Sequence, residues 1–338
     1  MEPIMINFGM IGCGSAAEIR GGLGIRLSKK AQLQAVSDIN NDLLIEYATK
    51  HNIESTYSSG YDLIKDPNID AVYIAVPNSF HHPFTIAAAQ EGKHILCEKP
   101  FGISLEQNTD MIETAKANGV ILTVSYYRRF YESVQIAKRL IEAGEIGSIT
   151  MGGLHATHFL GEHHTPEEAP RRWLIEKDKA GAGVFQRAGS HRIDLLVYLM
   201  GAPTEVFAYT DRLGSGYDVD DASVGVLRYN SGAQAFIALH HTIKGCQTDW
   251  LEICGTEGRI LLDPLDEGRV IVESTNTPRT EYNTEIPKSS TLPIIDDFVD
   301  AIELGTTTIC PPEEAIITNK IIYGGYMSTA KKKPIKIE

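Results

Sequence analysis

The stretch that decides the fold is IMINFGMIGCGSAAE, residues 4–18. An apolar run of strand length, 4–11, leads straight into Gly12-Cys13-Gly14-Ser15-Ala16-Ala17, and the residues that follow read as a helix. A glycine-rich turn between a strand and a helix suits a pyrophosphate. Gly12 permits the tight turn, Gly14 lets the backbone approach the phosphates, and Ala17 stands where helix and strand pack closely. The N–H groups of Ser15 and Ala16 open the helix and face an anion. A glycine turn that carries no ligand is the plainer reading of the same residues.

Working outward, a second strand is predicted over 33–38, ending on Asp38. An acidic side chain there can accept hydrogen bonds from both ribose hydroxyls of a dinucleotide. A 2′-phosphate would meet like charge, because Ile39, Asn40 and Asn41 supply no arginine. We therefore expect NAD rather than NADP. Asp38 can also cap the helix that follows. Further strands are predicted over 71–76, 94–99 and 120–125, alternating with helices near 15–28, 41–51, 59–65, 80–91 and 105–118. That alternation predicts a doubly wound parallel sheet over residues 1–124.

Beyond residue 125 the texture changes. After a helix near 131–142, β-type runs follow with few helices between them, over 149–159, 206–213, 223–229, 233–241, 250–256, 258–263 and 269–274. Asn230-Ser231-Gly232 and Thr256-Glu257-Gly258 read as hairpin turns. We expect an α+β domain over 125–338 with a largely antiparallel open sheet, closed by helices near 293–304 and 313–328. One face of such a sheet needs a cover, which predicts a homodimer or homotetramer built sheet against sheet.

The bulk numbers exclude several classes. A chain of 338 residues suits two domains. A formal charge of −13 argues against nucleic acid or an anionic membrane, and no apolar stretch is long enough to span a bilayer. Five cysteines without a C-x-x-C pair, and an N-terminus without signal-peptide features, fit a reducing cytoplasm. The histidines His155, His158, His163 and His164 have a metal-like look. A strand would point His155 and His158 to opposite faces, however, so no metal is expected.

In their order and spacing, GMIGCGSAAE (9–18), AVPNSFHHP (75–83), Glu98-Lys99-Pro100, YRRF (127–130) and GAGVFQRAGSHRIDLL (181–196) resemble the glucose-fructose oxidoreductase and inositol dehydrogenase family, Gfo/Idh/MocA. The resemblance spans most of the chain. It implies a Rossmann domain followed by a substrate and oligomerisation domain. It also implies hydride transfer between a nicotinamide and a carbinol carbon of a small polyhydroxylated substrate. On this sequence it places Pro77, Asn78 and His81 along the dinucleotide, Glu98 and Lys99 at the reaction centre, and Tyr126, Arg128, Arg172, Trp173 and His191 around the substrate. Lys99, desolvated beside a charged nicotinamide, would serve as acid or base, with His191 as its partner or as a neutral base. An ordinary ion pair with Glu98 is the plainer reading of Lys99.

One departure stands out. The family's Asp four residues before the histidine is Arg187 here, and the aromatic-basic segment reads Arg-Trp-Leu at 172–174. Arg187 either binds an anionic group on the substrate, which Arg128, Arg129, Arg171 and Arg172 would reinforce, or pairs with an acid such as Asp194. The missing Asp also leaves room for a non-catalytic dinucleotide-binding regulator. A third possibility is a redox-cycling elimination or glycoside-cleaving enzyme with tightly held NAD.

Overall fold

The computed structural model of the chain describes residues 5–158, 172–214 and 216–337, and among these every side chain except those of Trp173 and Lys179. The chain divides into two compact units. One comprises residues 1–127 and 287–316, and the other residues 128–286 and 317–338.

Among its described residues the first unit is built on six strands: β1 (Ile6–Ile11), β2 (Ala31–Ser37), β3 (Ser55–Tyr57), β4 (Ala71–Ile74), β5 (His94–Cys97) and β6 (Leu122–Val124). They lie in the order β3-β2-β1-β4-β5-β6, and every neighbouring pair is parallel. The order reverses between β1 and β4, so the turns that leave these two strands open onto one crevice at their carboxyl ends, where sheets of this kind bind ligands. Both faces of the sheet are covered, and all four residues of β4 are buried.

Local chemistry accounts for the helices. In Asn41–His51 the side chain of Asn40 accepts from the N–H groups of Asp42 and Leu43, Leu44, Tyr47 and Ala48 face inward at helical spacing, and Asn52 ends the turn in the left-handed region. The predicted helix near 15–28 is two helices, Ser15–Ile19 and Gly21–Leu27, broken at Arg20.

The helix Leu292–Leu304 belongs to this first unit, although the sequence reading placed everything after residue 124 in the second domain. Its Ile295 packs against Gly24, where a Cβ would lie 2.6 Å from the isoleucine Cδ1, and Phe298 meets Phe8 with ring centroids 5.9 Å apart. Ser28 donates to Asp296 and Lys30 pairs with Asp300. An amphipathic pattern states that one face is buried but not which core receives it.

Among its described residues the second unit carries nine strands: β7 (Ile149–Thr157), β8 (Glu205–Asp211), β9 (Ala222–Arg228), β10 (Gln234–His240), β11 (Thr248–Gly255), β12 (Gly258–Leu262), β13 (Arg269–Ser274), β14 (Thr280–Asn283) and β15 (Ile335–Lys336). Their order is β14-β13-β12-β11-β7-β10-β9-β8-β15. The two expected hairpins are present, pairing β9 with β10 and β11 with β12. All pairs are antiparallel except β7 with β10, which the long connection between them, carrying the helix Gly189–Met200 and then β8 and β9, makes possible. Alternate residues point inward to a core that includes Leu154, Leu227, Ile237, Leu239 and Ile253, with Phe185, Ile193 and Leu196 from the helical segments over it.

Candidate dinucleotide and substrate site

In the first unit the glycine turn is held by backbone geometry. Gly12 has φ +101°, and a Cβ there would stand 2.4 Å from the carbonyl oxygen of Ala75, so only glycine fits. Gly14 has open space where a Cβ would be and precedes the helix that Ser15 and Ala16 begin. Asp38 lies one residue past β2. Its Oδ2 accepts from the N–H of Cys13 at 2.8 Å and its Oδ1 from that of Asn40, also at 2.8 Å. It therefore clamps the glycine turn, and the cap expected of it belongs to Asn40. Burial, and then the Asp38 charge, push the Cys13 thiol up to about 12.

The turns after β4 and β5 are tied together. Asn78 is buried in the short helical turn that Pro77 opens. His81, expected along the dinucleotide, is buried with both ring nitrogens on backbone carbonyls: Nδ1 lies 2.9 Å from the Pro100 oxygen and Nε2 3.0 Å from that of Val76. Burial lowers its pKa against the opposing pull of these carbonyls. Its place is a brace between two loops. Glu98, at the end of β5, accepts from the Tyr73 hydroxyl at 2.7 Å and lies 3.7 Å from Arg20 Nη1. The N–H of Lys99 approaches the same carboxylate at 3.3 Å, and the Arg20 guanidinium lies over the Tyr127 ring. Lys99 is half-buried and precedes a cis proline. Arg20 and Tyr73 lay outside the sequence reading. Nothing in the spacing of a helix break and a strand midpoint joins them to Glu98.

In the second unit most of the expected arginines are engaged by acids. Arg128 forks onto Asp266, with Nε donating at 2.7 Å. Arg129 forks onto Asp194 at 2.9 and 2.7 Å, both side chains fully buried, with the Tyr198 ring against the guanidinium. Arg172 reaches Glu176 one turn away. The acid proposed for Arg187, Asp194, is thus the partner of Arg129. Tyr126, expected at the substrate, is fully buried. Arg171, His163 and His164 lie outside the described residues, as does the Trp173 side chain.

Arg187 closes the short helix Val184–Arg187, and His191 stands four residues on in the helix Gly189–Met200. Ala188 between them is itself helical, so both side chains leave the same side one turn apart. His191 is 4% exposed. Arg187 Nη2 lies 3.1 Å from Nδ1 of His241, and the His241 ring is 6.1 Å from that of His158. Arg192 forks onto Asp249 and also donates to the Ala188 carbonyl. His155 is separate. It stands on the other face of the sheet among His240 and Trp250, as alternation along β7 requires. Among the described residues no three His, Cys, Asp or Glu side chains converge on a metal-sized point, and no helix is long and apolar enough to cross a membrane.

A doubly wound parallel sheet with a glycine turn at its switch point is a fold of the dinucleotide-binding kind. Comparison with known proteins specifies it. Residues 6–126 match the family model described as "Oxidoreductase family, NAD-binding Rossmann fold", and residues 134–261 match the GFO/IDH/MocA C-terminal domain. The chain belongs to the Gfo/Idh/MocA oxidoreductases, and its cofactor is a nicotinamide dinucleotide. It is 28% identical to a myo-inositol 2-dehydrogenase of Thermotoga maritima, over 98% of this chain and 99% of the relative. It is 30% identical to a levoglucosan dehydrogenase of Pseudarthrobacter phenanthrenivorans over 74% and 70%. A levoglucosan dehydrogenase solved with NADH and levoglucosan superposes with a TM-score of 0.88 at 25% identity, covering 98% and 99% of the two chains.

Proposed function

We propose that the protein is an NAD-dependent dehydrogenase that transfers hydride between nicotinamide C4 and a carbinol carbon of a sugar, cyclitol or close derivative. The observation that carries this reading is the position of Lys99. It follows β5 beside the β1–β4 switch point, on a loop that His81 braces and next to a Glu98 already committed to Tyr73 and Arg20. A half-buried amine held there can take the hydroxyl proton as hydride leaves the carbon, while NAD supplies the redox chemistry. The names of the inositol and levoglucosan relatives support the substrate class.

Gly12, Gly14, Ser15, Ala16, Pro77 and Asn78 would line the dinucleotide. Asp38 would meet the adenosine ribose, its charge disfavouring a 2′-phosphate and so selecting NAD. His191 and Arg187 would face the substrate. The test is a panel of polyols, aldoses, cyclitols and sugar acids assayed with NAD and NADP, together with Lys99→Ala. That variant should lose about a hundredfold in kcat, the lower part of the range for a general acid or base, with NAD affinity retained. Near-normal turnover removes Lys99 from this role, and bound NAD without turnover of any substrate favours a regulator.

We also infer a homo-oligomer through the nine-stranded sheet. Its outward face carries Tyr209, Val224, Val226 and Met151 exposed beside Phe236 and Trp250, an apolar surface that a second copy would cover. A monomer by sedimentation at micromolar concentration would refute this.

A further inference from the structure

We propose that Arg20 and Tyr73 are positioning residues for the reaction: through the Glu98 carboxylate they tie the helix break that follows the glycine turn to the loop that carries Lys99. The proposal rests on the dehydrogenase reading and adds to it the residues that set where the amine stands.

Groups from separate segments of the first unit meet at Glu98. The Tyr73 hydroxyl donates to Oε1 at 2.7 Å, and the Lys99 N–H approaches Oε2 at 3.3 Å. Arg20 Nη1 lies 3.7 Å from the same Oε2. Tyr73, in β4, is fully buried and Glu98 is 5% exposed, so the carboxylate is held away from bulk water. Burial, and then the Glu98 charge, push the Tyr73 phenol well above its ordinary value, which keeps its proton in place to be donated.

Behind Tyr73 stands the helix break. The phenol oxygen takes a hydrogen bond from the backbone of Gly21, and a Cβ on Gly21 would lie 2.1 Å from the ring carbon that bears the hydroxyl. Only glycine lets the second helix start this close to the ring. Arg20 separates the helices Ser15–Ile19 and Gly21–Leu27, with φ −126° and ψ −107°. Its guanidinium lies 5.6 Å from the centre of the Tyr127 ring, a second contact that holds it beside Glu98.

Glu98 and Lys99 are neighbours in the chain, and Oε2 receives the Lys99 N–H, so the carboxylate and the lysine backbone are oriented together. A glutamate side chain has several rotamers to choose from, and here Tyr73 holds one oxygen while Arg20 attracts the other. Precision at this point matters, because a misplacement of about 1 Å can cost on the order of a hundredfold in rate. The 3.7 Å separation exceeds a hydrogen bond, so Arg20 acts on Glu98 by charge rather than by its fork, and a lysine can stand in for it.

The test uses Arg20→Met, Arg20→Lys and Tyr73→Phe in the full chain. Turnover is measured at saturating NAD with the fastest member of the polyol, aldose, cyclitol and sugar-acid panel, myo-inositol and D-glucose included. Calorimetry gives the affinity and stoichiometry of NAD binding. Mass spectrometry follows the modification of Lys99 by acetic anhydride against that of the exposed Lys65. Arg20→Met should lower kcat about ten- to a hundredfold and Tyr73→Phe about tenfold, with KM and NAD binding held within about threefold. Arg20→Lys should recover most of the loss. An unchanged kcat in Arg20→Met or in Tyr73→Phe, no recovery in Arg20→Lys, or a loss of turnover matched by a loss of NAD-binding sites would each overturn the proposal and leave the dehydrogenase reading in place. A wild type that turns over no member of the panel refutes the dehydrogenase reading, and labelling then decides. A Lys99 rate altered about threefold or more in Arg20→Met upholds the tie between Arg20 and Lys99, since the free-amine fraction follows the charges around it, and an unaltered rate overturns it.

Discussion

The loops of the first unit and the helical segments of the second are held in different ways, and the contrast explains which parts of the candidate site a sequence can reveal. In the first unit the glycine turn and the loops after β4 and β5 are held through backbone groups. Gly12 passes within van der Waals reach of Ala75, Asp38 accepts from the N–H of Cys13, and His81 spans two carbonyls. In the second unit the work is done by side-chain pairs drawn from distant positions, 65 residues apart for Arg129 and Asp194 and 57 apart for Arg192 and Asp249. Backbone sites leave a mark in contiguous sequence. Paired side chains do not.

The largest expected effect breaks the second pattern. Truncating either member of the buried pair, Arg129→Ala or Asp194→Ala, leaves an uncompensated charge among apolar neighbours and should destabilise the second unit by about 3–5 kcal/mol. Chemical denaturation measures it. Loss of under 1 kcal/mol would mean that the pair is solvated and that the contrast between the units is overstated.

The next effect breaks the first pattern. Gly12→Ala places a side chain at positive φ against a backbone oxygen, which should cost about 1–3 kcal/mol of local strain and weaken NAD binding about ten- to a hundredfold. The denaturation transition of the second unit should be unmoved. Unchanged NAD affinity would show that the turn does not meet the dinucleotide.

The smallest sharpens the electrostatics. A His241 whose folded pKa lies near 2, against an ordinary value near 6.5, takes up a proton only on unfolding once the pH falls below about 6.5. The unfolded state then binds more protons, so stability is intact above that pH and declines below it, by about 2 kcal/mol at pH 5. His241→Gln should flatten that part of the stability profile. An identical slope in the variant would show that His241 is not held neutral.

Much of the architecture was legible for plain reasons. Strand and helix periods, and the order β-turn-α, identified the parallel sheet. The hairpin turns at 230–232 and 256–258 announced antiparallel pairs, which β9–β10 and β11–β12 form. Other features had no contiguous signal. The helix Leu292–Leu304 looks like any amphipathic helix, yet it packs on the first unit through Ile295 and Phe298. The parallel pairing of β7 with β10 depends on what the chain does between them. Arg128 was placed around the substrate, and its engagement by Asp266, far along the chain, emerged only in three dimensions.

The sequence by itself determined the glycine turn, the acid after the second strand, the Glu98-Lys99-Pro100 end of β5 and the family to which the chain belongs. These depend on neighbours in the chain and on backbone conformations that few residue types can adopt. Only the tertiary structure decided that His81 braces a loop, that Asp194 serves Arg129, and that Arg187 stands beside His241 on a support pinned by Asp220. Charge pairing between residues far apart in the chain is a matter of distance in space, and no spacing rule along the chain records it.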